Sequence, residues 1–233
     1  MRPQAFIFDV FGTVVDWRSG VARDVSRALP QVEPFAFAAA WRARYQPAME
    51  RVRAGGRPYV ALDELHAEML DETLAAFGAR MTPPARAALA TAWERLPAWP
   101  DAPDGLARLR TMAMIAPCSN GSIALMTRLA RYAGLPWDCV LGADVARAYK
   151  PQPEVYLAAA AALRLAPGAV MMVAAHNDDL RAARAAGLMA GFIPRPQEHG
   201  PGQTADLSPD GPWDLVADDI ADLAARVSLG VGR

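Results

Sequence analysis

The sequence predicts an α/β protein: a doubly wound, mostly parallel sheet carrying an inserted helical cap. Three observations lead there. Short apolar runs, too brief to be helices, recur along the 233 residues and alternate with helical patterns at the spacing of βαβ units. The region from about 20 to 97 breaks that alternation with helical patterns alone. Apolar residues make up 53% of the chain against 21% charged, enough for a core that covers both faces of a sheet.

In chain order, residues 5–10 (AFIFDV) form an apolar run ended by Gly12 and predict a buried first strand. Helical segments follow at 20–29, 35–54, 60–78 and 84–95, separated by Pro30, Pro34, Gly55 with Gly56, and Thr82 with Pro83 and Pro84. Four helices inserted after a first strand predict a cap, residues 18–96, over a core made of 1–17 and 97–233. Ligands of open α/β sheets bind outside the carboxyl ends of the strands, where such a cap would sit. Further strands are predicted at 114–119, 139–143, 169–174, 189–193 and 214–217. Helices are predicted at 122–134, 154–165, 178–187 and 218–228, with Gly134 and Gly187 as stops. Right-handed crossovers then wind the sheet in both directions. The stretch 195–213, rich in Pro, Gly and Gln, reads as a long surface loop.

The charge balance excludes several partner classes. With 24 Lys+Arg against 25 Asp+Glu, the net charge is −1, which offers no basic field for nucleic acid and no acidic tail. Two cysteines, Cys118 and Cys139, exclude a disulfide scaffold and fit a reducing compartment. The amino terminus lacks an apolar signal core, and no run approaches the ~18 apolar residues of a membrane span. A soluble, cytoplasmic protein is expected.

Chemistry concentrates at the predicted strand ends. Asp9 stands among Phe6, Ile7, Phe8, Val10 and Phe11, where a carboxylate is costly unless paired or hydrogen-bonded. Gly12 permits a tight turn that would aim the amides of Val10 and Phe11 into an anion nest. Taken alone, Asp9 is equally a strand-end turn cap.

Asp9 with Phe11, Gly12 and Thr13, then Ser119 and Asn120, then Lys150 and Pro151, then Asp178 and Asp179, occur in an order and spacing that resemble the haloacid dehalogenase superfamily. The resemblance covers essentially the whole chain, with 20–97 matching that superfamily's helical cap. It implies a Rossmann-like core and a nucleophilic Asp9. Phosphatases of the superfamily carry a second Asp two residues after the nucleophile, and it protonates the leaving alcohol. Here Phe11 holds that place. Their metal-binding acid in the fourth motif is replaced by Ala175, leaving a poor oxygen set for Mg²⁺. The chain is thus similar to the 2-haloacid dehalogenases of type II, which work without metal or other cofactor. That branch implies attack by Asp9 on C2 of a 2-haloalkanoate, an ester on the enzyme, and hydrolysis to a 2-hydroxy acid with inversion. It also implies an (S)-2-haloacid substrate and a homodimer.

The resemblance gives further residues their roles. Lys150 is placed beside Asp9, where it keeps the carboxylate ionised; from the turn itself, Thr13 either hydrogen-bonds that carboxylate or satisfies backbone alone. Ser119 and Asn120, ahead of a helix start, receive the substrate carboxylate or halide. Arg42, of the Trp41–Arg42 pair, reaches the halide; its attraction grows as charge develops. Val10, Phe11, Tyr59 and Leu62 wall the pocket, and Asn177 and Asp178 join the substrate-contacting group. Tyr156 orients ester or water, and Asp179 holds Lys150 and polarises water or serves structure alone. Known members place Ser and Asn where Ala174 and His176 stand, and commonly Trp where Asp178 stands. His176 is therefore either the group that positions the hydrolytic water or a satisfied structural side chain. Cys118, with no His in sequence reach, is expected to be a buried structural thiol. The alternatives are a Mg²⁺-dependent phosphatase acting on a small metabolite and a non-catalytic binding protein of the same fold.

Overall fold

The computed structural model describes residues 2–230. Five parallel strands, β1 (Ala5–Phe8), β2 (Met114–Pro117), β3 (Val170–Ala174), β4 (Met189–Phe192) and β5 (Leu215–Val216), lie in the order β2-β1-β3-β4-β5. The first strand is internal, second from one edge, with Phe8 in register with Pro117 on one side and Val173 on the other. Every β1 side chain is buried, as a sheet covered on both faces requires. Phe6 and Phe8 face α6 (Ala102–Arg110), α7 (Ile123–Ala133) and α10 (Ile220–Leu229). Ala5 and Ile7 face α8 (Pro153–Ala162) and α9 (Asn177–Ala185). Asp9 therefore emerges at the carboxyl edge of the sheet, between the ends of β2 and β3.

Between β1 and β2 the chain forms α1 (Trp17–Ala28), α2 (Pro34–Ala43), α3 (Tyr45–Arg53), α4 (Leu62–Ala76), α5 (Pro83–Ala90) and a 3₁₀ turn, Thr91–Glu94. The single helix expected at 35–54 is two. Pro47 has no N–H to give the carbonyl of Ala43, so the ladder stops at Ala43 and restarts at Tyr45. The strand expected at 139–143 reduces to one bridge between Leu141 and Cys118. Asp138 ends the pairing, because its N–H donates to Ile115 O at 3.0 Å and its carboxylate accepts from Ile115 N at 3.0 Å. The helix α6 was not expected. Its Gly105 lies so close to the Ile220 backbone that a Cβ would approach within 2.8 Å, so packing rather than local preference explains the residue.

The stretch 195–213 has no helix or strand, as expected, yet it is not only a surface loop. Arg195 and Glu198 turn inward and are buried. Arg195 donates to Thr13 O at 2.9 Å and pairs with Asp101 at 2.7 Å. Among the described residues, no helix is long and apolar enough to cross a membrane.

Candidate active site

The site grows out of the turn after β1. Gly12 adopts φ +91°, a left-handed conformation that a side chain resists. Val14 and Val15 donate to Val10 O, and the reversed chain brings Thr13 back over Asp9. A Cβ on Gly12 would also sit 2.1 Å from Glu198 Oε1, so the turn needs glycine for space as well as for φ.

Asp9 is buried, and both of its oxygens are held. Lys150 Nζ donates to Oδ1 at 2.8 Å. Thr13 Oγ1 donates to Oδ2 at 2.7 Å and accepts from Ala175 N at 3.0 Å, which fixes the hydroxyl. His176 Nδ1 lies 3.2 Å from the same Oδ2. Beyond Asp9, Lys150 Nζ donates to Asp179 Oδ2 at 2.5 Å, and Tyr156 donates to Asp179 Oδ1 at 2.5 Å. Asn120 Oδ1 accepts from Lys150 N at 2.7 Å, leaving its NH₂ as the available donor. The other nitrogen of His176 meets Glu198 Oε2 at 2.8 Å, and Glu198 Oε1 accepts from Trp17 Nε1 at 3.0 Å.

Burial by itself would raise the pKa of Asp9, but Lys150 and His176 outweigh it and hold the carboxyl well below the usual range. Burial works against the Lys150 charge, and Asp179 and Asp9 more than restore it. Burial likewise opposes charge on His176, yet Glu198 and Asp9 raise its pKa well above 6.5. Donor chemistry requires the same outcome. A neutral imidazole has one N–H and would turn a lone pair toward one of its two carboxylates; only the imidazolium can donate to both. Cys118 is buried, and its thiol is pushed up to about 12 by that burial, which makes it inert as a nucleophile.

Asp9 opens into a cavity of about 530 Å³ between the sheet edge and helices α2 and α3. Phe11, Arg42, Asn120, Lys150, His176 and Asp179 line it. The Arg42 guanidinium lies 4.1 Å over the Tyr45 ring and 5.7 Å over that of Trp17, and its Nε is buried without a partner. Two more partnerless buried nitrogens, His66 Nε2 and Trp93 Nε1, lie in the aromatic cluster behind Phe11, whose ring meets that of Trp93 edge-on at 5.7 Å.

The structure thus brings together Asp9, Phe11, Thr13, Arg42, Asn120, Lys150, His176 and Asp179, with Tyr156 behind Asp179. It corrects other placements. Tyr59 donates to Asp144 at 2.8 Å and packs on Tyr149, and Leu62 is buried among the helices; neither lines the cavity. Tyr45, Gln46 and Arg53 of α3 take that place. Asn177 is structural: it binds Asp206, Ser208 O, Asp210 N and Trp213, pinning the 195–213 stretch. Asp178 stands at the rim with a 94% exposed side chain paired to Arg181. Ser119 is buried and accepts from Gly121 N at 3.1 Å, ahead of the helix that Ser122 caps; Val10 is core. His176 cannot be a base while both its nitrogens face carboxylates. Glu198 was missed because nothing local distinguishes a glutamate in a loop rich in Pro, Gly and Gln.

Comparison with known proteins places the chain among relatives of one family. A family model described as haloacid dehalogenase-like hydrolase matches residues 3–187. An (S)-2-haloacid dehalogenase of Xanthobacter autotrophicus is 30% identical over 194 residues, 82% of this chain and 75% of that one. A solved structure described as a defluorinating L-2-haloacid dehalogenase is 47% identical, with a TM-score of 0.95 covering 97% of this chain and 95% of that chain. The L-2-haloacid dehalogenase of Xanthobacter autotrophicus, solved with chloropropionic acid covalently bound, is 25% identical with a TM-score of 0.83, covering 97% of this chain and 98% of that one.

Proposed function

The chain belongs to the haloacid dehalogenase-like hydrolases, and we propose that it hydrolyses short (S)-2-haloalkanoic acids to 2-hydroxy acids through an ester on Asp9. The observation that carries this reading is a buried, ionised Asp9 opening into the cavity with Phe11, not an acid, two residues on. A carboxylate so placed can displace a halide, which leaves without a proton, whereas a phosphate ester would need an acid to protonate its alcohol. Lys150 keeps Asp9 charged, and Arg42 with the Asn120 NH₂ receives the departing halide, their attraction growing as the carbon–halogen bond breaks. Arg53, which lines the same cavity, adds positive charge for the substrate carboxylate. Asp179 takes a proton from the water that then attacks the ester. No step requires a metal: Asp9 already faces an ammonium, a hydroxyl and an imidazolium, a set of donors that opposes a divalent cation.

Fluoroacetate is included among the substrates, because a 47% identical relative is described as defluorinating and because fluoride, a compact anion, suits a cavity lined by the Arg42 guanidinium, whose Nε has no partner. The same reading takes residues 18–96 as a cap over the core of 1–17 and 97–233. A cytoplasmic setting is supported by two free cysteines, and a homodimer by the family resemblance.

The test is halide release from fluoro-, chloro- and bromoacetate, followed by ion-selective electrode with and without excess chelator. Release that persists in chelator is expected. Release of phosphate from phosphomonoesters that depends on added Mg²⁺, with no halide release, would overturn the reading.

A further inference from the structure

We propose that Glu198 prepares the breakdown of the Asp9 ester: it holds His176 as an imidazolium, and His176 neutralises the oxyanion that forms on Asp9 Oδ2 when water attacks. The inference rests on the dehalogenase reading and adds to it a second half-reaction with its own residues. Glu198 acts through His176 and is a positioning residue; His176 touches the reacting carboxyl.

Four observations converge. Glu198 is 2% exposed, although it comes from a loop without regular structure, and it accepts from His176 at 2.8 Å and Trp17 at 3.0 Å, with His199 at 3.5 Å. A carboxylate buried this deeply is kept only where partners hold it. The nucleophile's own turn makes room for it, since any Cβ on Gly12 would collide with the Glu198 carboxylate. The protein divides the two oxygens of Asp9: Oδ1 has one donor, Lys150, while Oδ2 has Thr13 at 2.7 Å and His176 at 3.2 Å. Finally, an imidazole with a carboxylate at each nitrogen has no lone pair to accept a proton from water, so it serves as a cation.

The chemistry follows from that division. Oδ1 bonds to C2 and the carbon–halogen electron pair leaves with the halide. Water then attacks Cγ and gives one proton to Asp179, while the Cγ=Oδ2 electrons move onto Oδ2, opposite Thr13 Oγ1–H and His176 Nδ1–H. The intermediate collapses by re-forming Cγ=Oδ2 and breaking Cγ–Oδ1. The departing alkoxide takes the proton back from Asp179, and the regenerated Asp9 carboxyl releases its own proton to solvent. His176 keeps both protons throughout. Two donors fixed before charge develops are worth more than solvent could supply.

The titratable and charged groups around His176 are Asp9 after β1, Lys150 and Asp179 beside it, Glu198 and His199 from the loop, and Arg42 and Asp206 across the cavity. When Asp9 is esterified it no longer favours the imidazolium, and Glu198 carries that task alone.

The experiment is single turnover of chloroacetate, quenched and read by denaturing mass spectrometry from pH 6 to 9.5, in the wild type, Glu198→Gln and Glu198→Asp. Wild-type ester breakdown is expected to stay level through pH 8.5. In Glu198→Gln the ester forms within a few-fold of the wild-type rate but accumulates. Its breakdown falls as pH rises past the ordinary histidine range near 6.5, reaching roughly 100-fold at pH 8.5. Glu198→Asp restores a level profile. Equal losses of formation and breakdown, or a level profile in Glu198→Gln, would overturn the inference. Nitrogen-15 NMR of the wild-type imidazoles needs no variant: a doubly protonated His176 at pH 8 is expected, and a neutral one overturns the inference. Absence of any ester in the wild type would instead overturn the dehalogenase reading.

Discussion

Replacing Lys150 with Met removes one charge while keeping most of the stem volume, and its effect can be worked out from the site. The ammonium lies 2.8 Å from Asp9 and 2.5 Å from Asp179, with all three side chains about a tenth exposed or less. At an effective dielectric of about 20, opposite charges at the first distance attract by about 6 kcal/mol, equivalent to about four pKa units. Loss of that attraction, together with the now unopposed Asp179, carries Asp9 from far below the carboxylate range up into or above it. Halide release by Lys150→Met is therefore expected to fall at least 100-fold at pH 7 and to gain an acid limb between about pH 4 and 7 that the wild type lacks. Stability falls as well, by about 3–5 kcal/mol in urea, because two buried carboxylates are left without their cation. A variant that keeps a tenth of the activity and shows no acid limb would refute the claim that Lys150 sets the charge of the nucleophile.

Four further outcomes follow from the same geometry. Arg42→Ala should raise KM for chloroacetate and lower kcat by about 100-fold, since the group that receives the halide is lost; unchanged steady-state constants would place the halide elsewhere. Gly12→Ala should cost at least about 2 kcal/mol in urea unfolding, combining a left-handed backbone with expulsion of Glu198, and a change below about 0.5 kcal/mol would contradict that packing. Cys118→Ala should leave halide release within about two-fold, because the buried thiol, pushed up to about 12, stays protonated; a 100-fold loss would reopen a thiol mechanism. In melting-temperature scans, the raised pKa of His176 means that its stabilisation is complete below about pH 6.5 and is lost as pH rises toward its folded value. The lowered pKa values of Asp9 and Glu198 give stabilisation that is present above about pH 4 and is lost on acidification. His176→Asn should flatten the alkaline slope, and an unchanged slope would contradict this assignment.

Much of this was readable in the residues. The strand β1, the turn at Gly12 and the parallel alternation carry local signals: short apolar runs, a glycine where φ is positive, and stops at Gly134 and Gly187. Motif order brings Asp9, Lys150 and Asp179 to one sheet edge, Asp9 and Asp179 following strands and Lys150 on the loop that stands in place of the strand expected at 139–143. What failed depended on distant partners. The segment 139–143 was apolar enough for a strand, but Asp138 ends its pairing with β2. Tyr59 reads as a pocket wall in the sequence, but it lies on the loop between α3 and α4, where its bond to the distant Asp144 turns it away, and Tyr45 lines the cavity instead. Glu198 is the sharpest case. Its burial depends on Gly12, Trp17 and His176, each more than twenty residues away along the chain, and no pattern within the loop encodes that meeting.

The most direct measurement is a single turnover of chloroacetate in ¹⁸O-labelled water with the enzyme in excess, followed by proteolysis and mass spectrometry of the peptide containing Asp9. One labelled oxygen should be found in the Asp9 carboxylate and none in the first glycolate released. Label in that glycolate, with Asp9 unlabelled, would contradict the ester and with it the role assigned to every residue around it.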